Sequence, residues 1–134
     1  MKFSMIVGLM LIVILGASSV HATVRADPCD AARCAVQATL GSACPCNGTG
    51  HGSWYKCMVK QIKQLSAQGK LPAKCVRKLL RCASGSTCGR GGYVVCNIPI
   101  VGCRSLNSVS SCTFAGGTPN PGAVSCCTSC SALP

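Results

Sequence analysis

The sequence predicts a small disulfide-rich α+β fold: N-terminal helices that include an antiparallel helical hairpin, followed by a short-stranded, loop-rich C-terminal part. Three observations predict it. Fourteen cysteines among 134 residues form an even and very dense set, the mark of a covalently stapled scaffold. Up to about residue 84, apolar residues recur at spacings of three and four. Beyond Gly85, short β-branched runs alternate with turns rich in Ser, Asn and Gly.

The first 22 residues read as a secretory signal peptide. Met1 and Lys2 are followed by an apolar run from Met5 to Leu15, then by small residues ending Val20-His21-Ala22, which places the cut after Ala22. The run is too short to cross a bilayer, which needs about 20 apolar residues. No later segment approaches that length, so the expectation is a secreted, extracellular chain with no transmembrane segment after cleavage. Residues 23–134 are expected to form one disulfide-stapled domain, with a helical part over 28–84 and a strand and loop part over 90–134. Loss of Lys2 lowers the formal charge from +11 to +10. Only 24 large apolar residues remain among the 112 left after the cut, a thin supply for a core, so cross-links must supplement burial.

Asp27-Pro28 opens the first helix, with a capping side chain and then proline at the first helical position. The Ala-rich run Cys29 to Ala38 continues it, and Gly41 is expected to stop it. Ser42 to Gly52 reads as a loop carrying Asn47-Gly48-Thr49, an acceptor triplet for N-glycosylation at Asn47. Ser53 is the expected cap of a second helix running to Ala67. Its Trp54, Cys57, Met58, Ile62 and Leu65 share one face. Gly69 ends that helix and Leu71-Pro72 opens a third, Ala73 to Ala83, with Cys75, Val76, Leu79 and Cys82 inward. The short link between the two makes them an antiparallel hairpin. Strands are expected over Tyr93–Ile98, Ile100–Cys103 and Cys112–Ala115, with Pro99 marking an edge or a break. Gly116 to Gly122 reads as an irregular loop.

The cysteines stand at 29, 34, 44, 46, 57, 75, 82, 88, 96, 103, 112, 126, 127 and 130. An oxidising route makes up to seven disulfides of Cys29, Cys34, Cys44, Cys46, Cys57, Cys75, Cys82, Cys88, Cys96, Cys103, Cys112, Cys126, Cys127 and Cys130. Cys44-Pro45-Cys46 and Cys127-x-x-Cys130 also have chelating spacings, but only His51 could complete a mixed metal site after cleavage, and the disulfide reading is preferred. Connectivity is not legible. Cys44 with Cys46, and Cys126 with Cys127, are poorly placed to bridge to one another, so each pair should tie two different segments to one point.

Cys44-Pro45-Cys46, His51-Gly52, Tyr55, Cys57, Gly69-Lys70-Leu71, Ser86-Thr87-Cys88-Gly89-Arg90, Tyr93-Val94-Val95-Cys96 and Cys126-Cys127 together resemble small secreted cysteine-rich proteins. The resemblance covers most of the chain after the leader. It implies a leader and a disulfide scaffold, and transfers no functional residue.

Function is read from charge. Asp27 and Asp30 are the only acidic side chains. Lys56, Lys60, Lys63, Lys70, Lys74, Arg77, Lys78 and Arg81 fall within 26 residues that hold no acid, and their spacings give each helix of the hairpin a basic stripe. The expectation is a cationic protein of the defence or antimicrobial type that binds an anionic membrane surface, a microbial envelope polymer or a sulfated glycan. The alternatives are a structural or matrix component binding glycan or mineral, and a protease inhibitor or toxin presenting Gly89-Arg90-Gly91. The bland reading is a solvated face that keeps a cysteine-rich protein dispersed. Nucleic acid fits poorly, with four aromatics after the leader and no reading motif. Trp54-Tyr55 beside Lys56 could anchor at a lipid interface, although core packing of Trp54 is preferred. Paired-carboxylate chemistry is excluded by the acid count, and no triad context surrounds His51, so neither an enzyme nor a cofactor is expected.

Overall fold

In the computed structural model the described residues are 27–127 and Cys130; the expected leader, residues 1–22, lies outside them. Three helices lead: α1 (Pro28–Ala43), α2 (His51–Ala67) and α3 (Ala73–Ser84). A three-stranded antiparallel sheet follows, with β1 (Val94–Ile98), β2 (Gly102–Leu106) and β3 (Thr118–Asn120) in the order β2-β1-β3. A short helix, α4 (Val109–Phe114), lies between β2 and β3. This is the small disulfide-rich α+β architecture expected from the sequence.

The Asp27 side chain accepts a hydrogen bond from the Cys29 amide at 2.8 Å, with Pro28 at the first helical position. The helix then runs through Gly41 rather than stopping there. Leu40 is buried, and the Cys44 amide still donates to the Leu40 carbonyl at 2.9 Å, so tertiary packing outweighs the roughly 1 kcal/mol helix penalty of one glycine. The second helix begins at His51, before the expected Ser53 cap. Gly50 precedes it with no side-chain cap; instead the His51 amide donates to the Gly89 carbonyl at 3.1 Å. The helix start is capped from a distant loop, a signal that local sequence cannot carry. Gly69, at φ +70°, closes α2 with the Lys70 amide on the Leu65 carbonyl at 2.9 Å.

The main core is the seam of the three helices. Val36, Leu40, Ile62, Leu65, Leu71 and Leu79 are buried there with the Cys29–Cys75 disulfide. Trp54 is 8 % exposed and donates through Nε1 to the Cys44 carbonyl at 2.9 Å, so it is a core side chain and not a lipid anchor. In the sheet, Val95 and Cys96 of the central strand are buried.

Of residues 112–115, expected as a strand, 112–114 are the end of α4 and Ala115 is its C-cap. Ser108 caps that helix by accepting from the Ser111 amide at 3.0 Å, a capping signal that outweighs the short apolar run. The third strand instead falls in the expected loop, at Thr118–Asn120, paired with Asn97 to Val95. Pro119 sits there on an edge strand, where a missing donor is tolerated. β2 begins later than expected, at Gly102, because Pro99–Val101 form the hairpin turn.

All fourteen cysteines are paired: 29–75, 34–130, 44–57, 46–88, 82–127, 96–112 and 103–126. Cys44 and Cys46 diverge to α2 and to the segment after α3, and Cys126 and Cys127 diverge to β2 and α3, as their close spacing requires. No thiolate is left to chelate a metal at either spacing.

Candidate functional site

Adjacent Cys126 and Cys127 bond to Cys103 on β2 and to Cys82 on α3. One point of the chain therefore fixes the distance between helix and sheet. Ser105 adds a hydrogen bond from its Oγ to the Gly85 carbonyl at 2.6 Å. Between these walls runs an open groove of about 1020 Å³.

Its lining is strongly basic. α3 contributes Lys74, Arg77, Lys78 and Arg81, the following loop contributes Arg90, and β2 contributes Arg104; the one carboxylate is Asp27. Lys78 is the exception among them, because its Nζ lies 2.5 Å from Asp27 and 3.0 Å from Asp30. Both acids of the protein thus serve one lysine. The Lys78 hydrogen bond, aided by the Cys29 amide, holds the Asp27 carboxyl below its usual value of 3.8. Hydrogen bonding to Asp27 and then to Asp30 raises Lys78 above 10.5. Lys74, Arg77, Arg81 and Arg104 are exposed and make no ion pair with a described residue.

Arg90 is held differently. Its Nη2 donates to the Ser84 carbonyl at 3.1 Å and lies 2.9 Å from His51 Nε2, and its guanidinium stands 5.2 Å from the Tyr93 ring centroid. Since an arginine only donates, Nε2 accepts, and His51 Nδ1 is the donor to the Cys88 carbonyl at 2.8 Å. None of these partners is a carboxylate, so Arg90 keeps its charge while losing freedom. A Cβ at Gly89 would strike the Thr49 carbonyl and the His51 amide, so glycine is what lets this loop press against the start of α2. Arg90 is therefore folded back onto the protein.

Of the eight basic residues singled out from the sequence, four line the groove: Lys74, Arg77, Lys78 and Arg81. Lys56, Lys60, Lys63 and Lys70 are exposed but lie outside its lining. Sequence reasoning read Arg90 as the tip of an inhibitory loop rather than as part of this basic cluster, and did not single out Arg104. Both are isolated in the chain, and only the antiparallel return of β2 and the paired disulfides bring them to α3. Asn47 and Thr49 are exposed in the loop between α1 and α2. A smaller cavity of about 230 Å³, under Trp54 and Met58, is lined largely by core side chains.

Comparison with known proteins adds nothing to this geometry: no family model, curated protein or solved structure matches the chain. Among the described residues, no helix is long and apolar enough to cross a membrane.

Proposed function

We propose that the chain is a secreted cationic protein of the defence type that binds anionic surfaces, with the α3 groove as its main point of contact. What carries this reading is the groove's imbalance of charge between walls of covalently fixed spacing. Six basic side chains face one carboxylate, and that carboxylate is already occupied by Lys78. Cations held close together before binding repel one another, and an arriving anion relieves that repulsion. A merely solubilising surface would more often mix signs. The expected leader and seven disulfides support an oxidising, extracellular setting, where envelope polymers, anionic lipid and sulfated glycans supply such anions.

The test mixes the oxidised protein with anionic vesicles, zwitterionic vesicles and heparin, at low salt and at about 1 M salt, where charges beyond about 3 Å are screened. Binding to heparin and anionic vesicles at low salt, weakened steeply by salt and absent with zwitterionic vesicles, supports the reading. Equal, salt-insensitive binding to both kinds of vesicle, with no retention on heparin, contradicts it.

A further inference from the structure

The β1–β2 hairpin turns through three residues, Pro99, Ile100 and Val101, between the paired Ile98 and Gly102. The Val101 amide donates to the Pro99 carbonyl at 2.8 Å, and Ile100 sits between them at φ +69°. That is the rare left-handed form of the three-residue γ-turn. A β-branched residue is poorly suited to it, and glycine or asparagine would fit at lower cost. Nor does the side chain gain burial in return: Ile100 is fully exposed, at 108 %, and Val101 is 54 % exposed.

A third exposed apolar side chain, Phe114, lies on the segment that leads to that end of the sheet. Gly117 leads into β3, lies against Ile98 and Cys96, and donates its amide to the Cys112 carbonyl of α4. The C-terminal end of α4 is thereby brought to the Ile98 end of β1, and its last residue, Phe114, is 95 % exposed.

We propose that Ile100, Val101 and Phe114 form a tip that inserts into the interfacial layer of an anionic lipid bilayer. The proposal rests on the anionic-surface reading above and names the surface. Three exposed side chains cannot supply the roughly 800 Å² per partner that a stable protein interface needs, and a second copy of so cationic a chain is repelled at long range. A bilayer accepts small apolar protrusions, and its anionic headgroups attract the same basic protein. Arg104, two residues beyond Gly102, places a cation on the strand that leaves the tip.

The experiment compares wild type with Ile100→Gly, Phe114→Ser and the double variant. It measures partition into phosphatidylserine–phosphatidylcholine vesicles at low and at about 1 M salt, heparin retention, thermal midpoint and sedimentation. The expected result is a loss of partition of about tenfold per side chain, no vesicle binding left for the double variant at high salt, and heparin retention as in wild type. Ile100→Gly should also melt a few degrees higher, because the turn is relieved, a change no folding defect imitates. If wild type binds anionic vesicles and the variants bind them equally, the tip is wrong while the anionic-surface reading stands. If wild type binds neither vesicles nor heparin, both fall. A wild-type dimer that the substitutions dissociate would make the patch a contact between copies and overturn the proposal.

Discussion

At the scale of single residues, Ile100 is strained while Arg90 is restrained. Ile100 in the left-handed region costs about 1–2 kcal/mol relative to an ordinary conformation, with no buried contact to offset it. Arg90, by contrast, is restrained by a carbonyl, an imidazole and an aromatic ring while its charge stays uncompensated. Asp27 does two things at once, capping α1 and pairing with Lys78. Its lowered carboxyl value gives the sign of the pH effect: the stabilising contribution is complete above the unfolded value near 3.8 and is lost as pH falls through the lower folded value. The Lys78 contribution is complete below 10.5 and is lost as pH rises through its raised value. Between these limits the pair is constant. Asp27→Asn keeps a capping side chain and removes the carboxylate from the groove. The variant should lose less stability than wild type on acidification below pH 3.8, followed by circular dichroism, and should bind heparin severalfold more tightly at neutral pH.

At the scale of elements, the helices were largely legible and their neighbours only partly so. The apolar faces of α2 and α3 follow from spacing alone, and burial of Trp54, Ile62, Leu65, Cys75 and Leu79 agrees with them. Boundaries failed where the deciding contact came from far along the chain, as with the Gly89 carbonyl at His51 and the Leu40 packing that carries α1 through Gly41. The exchange of α4 for a strand, and of β3 for a loop, has a similar cause: the six-residue helix is set by a serine cap and by the Cys96–Cys112 bond, and β3 exists only because β1 offers it an edge. Half of the groove was legible as the basic stripe of α3. Its other wall depended on connectivity that fourteen identical residues do not reveal. That wall hangs on Cys103–Cys126, both of whose residues are exposed, which closes a 23-residue separation. Replacing both cysteines by serine should therefore act mainly through the unfolded chain and cost about 3 kcal/mol, read as a lower urea midpoint. The helical signal should persist while heparin affinity falls, because β2 is no longer held opposite α3.

At the scale of the whole molecule, covalent bonds take over work that a larger protein gives to its core. The disulfides span sequence separations from 13 to 96 residues, and six of the seven tie one element or terminal segment to another distant in the chain, with Cys44–Cys57 joining the neighbours α1 and α2. Because shape depends less on buried area, the surface can carry a concentration of like charge that would strain a weakly cross-linked fold. The same scaffold keeps two surface features apart: the basic groove lies between α3 and β2, and the exposed Ile100 and Val101 lie in the β1–β2 turn. Anion binding through the groove is tested most directly by titrating heparin against salt, using wild type, Arg77→Gln/Arg81→Gln/Arg104→Gln and Lys56→Gln/Lys60→Gln/Lys63→Gln. The groove variant should bind much more weakly, with the slope of log affinity against log salt shallower by about one per cation removed, while the α2 variant stays close to wild type. A groove variant with unchanged affinity and slope, beside an α2 variant that loses both, would contradict it.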